Sequence, residues 1–509
     1  MQNKKNNRFI KNNILIIFGI IFMVFAYMQS PLYTSNQNQY FLQGMAESGL
    51  GSLDQDWLAS TKEPTPAFTF LVKWTFLLLK SEVWFYFYYA VLIGIYFLSL
   101  LGILNQVFNI RESRSKFLLT ASLIIFSHSV GFRFFLTKSL GPEWAFLLDG
   151  GVAGQRLLGT VFQPSTFGIL LVLSLYLFII KKPFLSAVLA AITANIHPTY
   201  LFSAALLVGG YILASYCEKR DLKKPFLIGL LSLVAVFPIL FYIFSNFWGA
   251  NESAEAYRIL AEIRLPHHAI ISEWFNLTSL IKVAIIIGGL TIVRKRPRIF
   301  IPLTVVFLSS FILSLIQYFL KSNFIALIFP WRPSALLVPI CSTIIFGKIS
   351  SWICNKPQKP KVEGIIIIIS VFLSIFLAAL GLFRMSLLFE KKANSPESEL
   401  YTWVHQTSND SDRYLIPISL ETFRTSTLRP AYVDFFAIPY SIEDIFKWYH
   451  RVLAVNKFYQ GGECKELMFI RTDEEFTYVI TEKEKIQPDC ESYDLVFQDD
   501  HYLAYKFKK

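Results

Sequence analysis

Phe226-Leu-Ile-Gly-Leu-Leu-Ser-Leu-Val-Ala-Val-Phe-Pro-Ile-Leu-Phe-Tyr-Ile-Phe244 runs for nineteen residues without a charged side chain. A helix crossing the hydrocarbon core of a bilayer needs about 20 such residues, so this stretch reads as a membrane span. Similar blocks recur, at 14–27 and 85–104 among others. They raise the hydrophobic fraction of the 509 residues to 54% and hold the charged fraction to 17%, below the roughly 25% of soluble domains. The mean hydropathy is +0.46. This patterning excludes a soluble enzyme, a disordered chain and a disulfide miniprotein.

The net charge of +12 is unevenly spread. Residues 1–389 hold 33 Lys and Arg against 15 Asp and Glu, while residues 390–509 hold 15 against 21. The basic residues fall in short clusters between apolar blocks, at Lys4 to Lys11, Arg111 to Lys116, Lys181-Lys182, Lys219 to Lys224, Arg294 to Arg298 and Lys356 to Lys361. That is the spacing of cytoplasmic loops rather than of a nucleic-acid footprint. We therefore expect an α-helical polytopic membrane domain, 1–389, and a soluble C-terminal domain, 390–509.

With every basic cluster inside, about eleven spans result: 13–29, 82–108, 117–131, 166–180, 183–196, 199–216, 225–247, 276–293, 299–319, 333–348 and 363–389. The segments so placed inside carry more Lys and Arg than the outer ones, although they are shorter in total. An odd count leaves the N-terminus cytoplasmic and the C-terminal domain extracytoplasmic. The basic N-terminus fits either a signal peptide or an uncleaved first helix; the absence of a small-x-small site after it favours the helix. The pair 183–196 and 199–216 is separated only by His197-Pro198, and proline disfavours helical geometry in the residue before it. One long kinked helix is the alternative.

Three long polar stretches then face outward, 29–81, 131–165 and 248–275. Loops of that length are more often functional than connective. In the first, Ser35 reads as the cap of a short interfacial helix carrying Phe41, Leu42 and Met45.

The chain resembles the GT-C class of glycosyltransferases, and more closely a family of uncharacterised bacterial membrane proteins related to that class. The segments that carry the resemblance are Asn36-Gln-Asn-Gln-Tyr-Phe-Leu, Asp56-Trp-Leu-Ala-Ser-Thr with Pro64-Thr-Pro66, and Gly154-Gln155 with Phe162-Gln-Pro164-Ser. His197-Pro198, Arg264-Leu-Pro266-His-His268 and Pro330-Trp-Arg332 continue it, and Phe423-Arg424, Pro430 and Trp448-Tyr-His-Arg451 extend it into the tail. The resemblance implies a GT-C-like membrane fold in a bacterial inner (plasma) membrane and a polyprenyl-phosphate-linked sugar as donor. The acceptor would be a glycan, lipid or protein outside the cytoplasm.

Such chemistry needs a carboxylate for the acceptor, a cation for the departing lipid phosphate and an apolar groove for the polyprenyl tail. The class places acids early in the first outer loop, where this chain has Asn36 and Asn38, and an amide cannot act as a base. Asp56 is then the first candidate and Asp54 the second, with Glu143 and Asp149 beside glycines in the second loop. Each of these also reads as a solvated loop residue or a helix cap. Arg332 is the phosphate candidate, since guanidinium stays charged and binds phosphate through two donors; snorkelling beside Trp331 is the competing reading. Arg156, Arg264 and Arg133 follow. His197 either lines a cavity or satisfies a carbonyl freed by Pro198. His267 and His268 would point to opposite faces of an extended strand, a poor metal pair without Glu143 or Asp149. Gln163 is a polar candidate toward the sugar or only part of a helix start. Some members of the class use a divalent cation and others do not, so no cofactor is assigned.

The tail reads as a small α/β domain with helices at 400–404 and 442–455 and strands at 413–417, 432–434, 476–480 and 495–497. It contains no Walker loop, GxGxxG or GxSxG. Cys464 and Cys490, the two cysteines placed outside, are expected to pair. Two other functions stay open: a lipid-linked-glycan transporter, which should hold ionisable residues deep within its spans, and a non-catalytic glycolipid-binding relative, which Asn36 and Asn38 favour.

Overall fold

The computed structural model describes residues 2–247, 253–355, 360–485, 488 and 490–508. Residues 248–252 of the third outer stretch and 356–359 of the last basic cluster lie outside the described residues, as do the side chains of Lys4, Lys5, Arg8 and Lys11. The chain is mostly helical and divides into two compact units. One comprises Met1–Gln29, Phe85–Phe241 and Tyr257–Ser386; the other comprises Ser30–Trp84, Tyr242–Ala256 and Leu387–Lys509. The second grouping differs from a cut at residue 390, because two stretches from earlier in the chain fold together with the tail.

Every stretch read as a span is helical. Among the described residues, six helices are long and apolar enough to cross a membrane: Val83–Phe108, Pro198–Glu218, Lys223–Phe247, Pro297–Leu320, Ser334–Cys354 and Pro360–Ala393. Arg114–His128 and Val130–Leu140 form a further candidate, bent by 51°. Ser129 causes the bend. Its backbone is extended, and its Oγ accepts from the amide of Phe132 at 3.1 Å, capping the second piece. Ile14–Tyr27, Pro164–Ile179, Pro183–Ile196 and Leu277–Val293 are shorter apolar helices.

The break at His197 is present as two helices. Pro198 forces His197 into extended geometry, φ −139° and ψ 103°, and Pro183–Ile196 ends there. Small residues let the helices approach closely. A Cβ on Gly289 would lie 2.7 Å from the Cα of Cys341, so Leu277–Val293 and Ser334–Cys354 meet nearly backbone to backbone.

The second unit holds a four-stranded sheet, with β1 Tyr414–Leu415, β2 Tyr478–Glu482, β3 Tyr493–Gln498 and β4 Tyr502–Phe507 in the order β1-β2-β4-β3. Only β1 and β2 are parallel. Tyr414 and Tyr478 stack across that pair with ring centroids 5.0 Å apart. Leu400 and Val404 of helix Ser398–Thr407 pack on the same core with Ile416, Phe423 and Ile480.

Several local expectations need correction. Residues 432–434 form no strand; the neighbouring Ala431 makes a single bridge to Tyr414. The helix Cys464–Asp473 and the strand β4 have no counterpart in the sequence reading. Ser35 does not cap a helix, since its φ is +56° and the short helix Gln37–Tyr40 starts after Asn36. His267 and His268 lie on a helical turn, Pro266–Ala269, not on a strand, with ring centroids 4.1 Å apart. Cys464 and Cys490 form a disulfide, as the compartment argument expects.

Candidate functional site

Each unit carries its own polar cluster. In the second unit, Asp56 ends the 3₁₀ turn Leu53–Gln55 and is 1% exposed. Its Oδ1 accepts from the amide of Leu58 at 2.9 Å and its Oδ2 from that of Ala431 at 2.9 Å. Arg424 Nε adds a third bond, to Oδ2, at 2.6 Å. The guanidinium also pairs with Asp434 and donates to the carbonyl of Ala431 at 2.7 Å. Asp434 in turn accepts from the amides of Phe436 and Ala437, both at 2.7 Å. Burial raises the pKa of Asp434, with Arg424 opposing. Burial alone would lower that of Arg424, but the two carboxylates outweigh it and hold the group charged.

The carboxylate of Asp56 is thus saturated with donors and closed to solvent, and it fastens the loop. Asp54, beside it, is exposed. Asn38 is buried and accepts from Thr425 at 2.7 Å, while its amide nitrogen has no partner among the described residues; Asn36 is half-buried.

In the first unit the polar groups converge on the turn 149–156. Ala153 and Gly154 both have positive φ, +57° and +66°. Side chains from separate elements hold this costly backbone. Lys282 donates to the carbonyl of Gly151 at 2.9 Å. Ser334 Oγ accepts from the amide of Val152 at 2.8 Å. His268 Nδ1 bonds the carbonyl of Ala153 at 2.7 Å, which assigns the proton to Nδ1. Arg332 Nη1 donates to Gln155 Oε1 at 3.1 Å. Trp274 and Trp331 pack on Val152 and Ala153. Gly151 is required here, because a Cβ would fall on the backbone nitrogen of Ala335 and on Ser334 Oγ.

Arg332 donates its other terminal nitrogen to His197 Nε2 at 3.1 Å and lies 4.9 Å from the centroid of Tyr200. His197 must be neutral to accept. Burial, and then the charge of Arg332, drive its pKa well below the usual imidazole range. Burial, with His267 next, likewise pushes His268 down to about 3. Arg332 is therefore held by neutral acceptors, and it makes no ion pair among the described residues.

Asp149 opens the same turn. It is 5% exposed, and neither carboxylate oxygen has a hydrogen-bond partner among the described residues. The charges of Arg156 and Lys282 lie within its electrostatic reach. Arg156 is exposed, its guanidinium 4.1 Å from the centroid of Phe146. Gln163 is buried at the N-cap of the 3₁₀ turn Pro164–Gly168. Glu143 is exposed on the turn Pro142–Trp144, His267 is exposed, and Arg264 is half-buried at the end of the π turn Ile259–Arg264.

Of the sequence candidates, Asp149, Arg156, His197, His268 and Arg332 thus fall in one neighbourhood, and Asp54, Asn36 and Glu143 do not take part in either buried network. Lys282 and Ser334 are the members that sequence reasoning missed. The only signal for Lys282 is a lone lysine within an apolar run. The described residues contain no group of three or more His, Cys, Asp or Glu able to hold a metal ion.

Residues 395–455 match a family described as a domain of unknown function, DUF6798. No curated protein matches the chain. Among solved structures, the chain is similar to the apo oligosaccharyltransferase of Archaeoglobus fulgidus at 10% identity and a TM-score of 0.49, over 92% of this chain and 69% of that one. It is also similar to ArnT from Cupriavidus metallidurans, bound to undecaprenyl phosphate, at 10% identity and a TM-score of 0.48, over 97% of each chain. These are likenesses of outline, and no residue is carried across from them.

Proposed function

We propose that the turn 149–156 and the side chains gathered on it form the donor site of a membrane glycosyltransferase that uses a polyprenyl-phosphate-linked sugar. The observation that carries this reading is Arg332, a guanidinium held in place by two neutral groups and without a counter-ion among the described residues. A phosphate would supply that counter-ion through paired N–H donors. Arg156 adds a second, exposed cation. Asp149, a buried carboxylate without a donor among the described residues, takes the role of base. It would accept the proton of an acceptor hydroxyl as that oxygen bonds the anomeric carbon and the carbon–oxygen bond to phosphate breaks. The polyprenyl phosphate leaves with its new charge against Arg332. The acceptor is a glycan, lipid or protein on the extracytoplasmic side of a bacterial plasma membrane. The distribution of basic loops supports that orientation.

The test uses the full chain in lipid nanodiscs with radiolabelled polyprenyl-phosphate sugars and membrane extract. Transfer by the native chain, lost in Asp149→Asn and in Arg332→Gln, is the expected result. Undiminished transfer by either variant would refute the assignment. The donor-saturated Asp56 and the amides at 36 and 38 favour a second reading, a non-catalytic glycolipid-binding protein. Retention of the donor with no transfer by the native chain would establish it.

A further inference from the structure

We propose that a cavity at the end of the first unit bearing the basic loops binds the phosphate of an anionic phospholipid. This site is independent of the donor-site reading. The cavity has a volume of about 320 Å³ and lies where the C-terminal end of Leu201–Lys219 meets the start of Pro297–Leu320. Ile179, Ala214 and Ile299 line it together with Arg296, Arg298 and Glu218.

The two arginines differ in how they are held. Arg298 is fixed. It donates to the carbonyl of Phe178 at 3.1 Å, pairs with Glu218 and lies over the ring of Phe178. Arg296 is exposed and forms no ion pair among the described residues. Lys181 and Lys224 also act electrostatically on Glu218, so the cations around this opening outnumber its lining carboxylate. The surplus positive charge calls for an anion. Leu213 and Tyr216, exposed on Leu201–Lys219, offer surface for a hydrocarbon chain, and basic pockets between spanning helices commonly hold anionic headgroups.

The experiment titrates the full chain in detergent micelles with dioctanoyl-phosphatidylglycerol or dioctanoyl-phosphatidylcholine, and reads bound lipid by native mass spectrometry. A third arm adds inorganic phosphate in millimolar excess. We expect phosphatidylglycerol to be retained about tenfold more tightly than phosphatidylcholine. Arg296→Gln should weaken that by about fivefold, the effect of one basic residue at an anionic surface. Because Arg296 is exposed and unpaired, its melting temperature should not change. Glu218→Gln should leave phosphatidylglycerol binding intact or strengthen it. Equal retention of the two lipids, an Arg296→Gln variant that binds like the native chain, or complete displacement by inorganic phosphate would overturn the proposal. Donor-lipid transfer at Arg332 is measured separately, so failure of one site leaves the other standing.

Discussion

Asp56 and Arg424 stand 368 residues apart in the chain and form an ion pair, 2.6 Å from Nε to Oδ2, in which the carboxylate is inaccessible and the guanidinium 4% exposed. Asp434 completes the arrangement from the other side of the same guanidinium. Removing one member of such a group leaves the others charged and buried, which costs about 3–5 kcal/mol. Asp56→Asn should therefore lower the melting temperature sharply, and Arg424→Gln should do so further, since it leaves two carboxylates together. The double variant should cost clearly less than the sum. Additive losses would mean that the two residues act separately.

His197 and the half-buried His268 give the stability of the first unit a defined pH dependence. In the unfolded chain both take up a proton near the ordinary value of 6.5, whereas folded His268 does so only at about 3. His197 shifts in the same direction. The unfolded state binds more protons between those values, so the stabilisation is complete above about pH 6.5 and is lost as pH falls, at up to about 1.4 kcal/mol per pH unit for each histidine. Melting temperatures measured from pH 7 to pH 4 should fall, and His268→Gln should flatten the slope. An unchanged slope in that variant would locate the proton uptake elsewhere.

The turn 149–156 depends on groups that do no chemistry. Gly151→Ala would press a methyl group against the start of Ser334–Cys354, an overpacking of about 1–3 kcal/mol. Lys282→Met removes the donor to the carbonyl of Gly151 and leaves that buried acceptor unmade, at about 1–3 kcal/mol. Both should reduce donor binding together with stability. Arg332→Gln should reduce binding with a smaller change in melting temperature, because its partners are neutral amide and imidazole groups. Binding curves run beside thermal melts separate the two classes.

Cys464 and Cys490 close a loop of 26 residues, worth about 3 kcal/mol through the unfolded chain. Reduction, or Cys464→Ser, should lower the stability of the second unit by about that amount and leave donor binding unchanged. A native-state thiol count showing both sulfurs free would contradict the bond.

What the sequence made legible follows from locality. His197-Pro198 declares its break because proline acts on the residue beside it. Arg332 is visible because Pro330 and Pro333 frame it ahead of an apolar run. Asp149 shows itself only through the glycines that follow, and nothing local distinguishes its environment from that of the exposed Glu143. Lys282 sits among apolar neighbours, where a single charge reads as an interruption. The role of Asp56 was illegible, since its counter-ion belongs to a segment hundreds of residues later. The strand β4, Tyr502-Leu-Ala-Tyr-Lys-Phe507, shows no alternation of apolar and polar residues, and cross-strand pairing with β2 and β3 is what settles it.

The second unit takes its chain from three separate stretches, the last of which begins at Leu387. During synthesis, Asp56 leaves the ribosome long before Arg424 exists. For that interval its carboxylate has water, or a chaperone, as company, and the loop that carries it has no fixed place to rest. Truncated products ending before residue 424 should accordingly be good substrates for proteases acting on Ser30–Trp84.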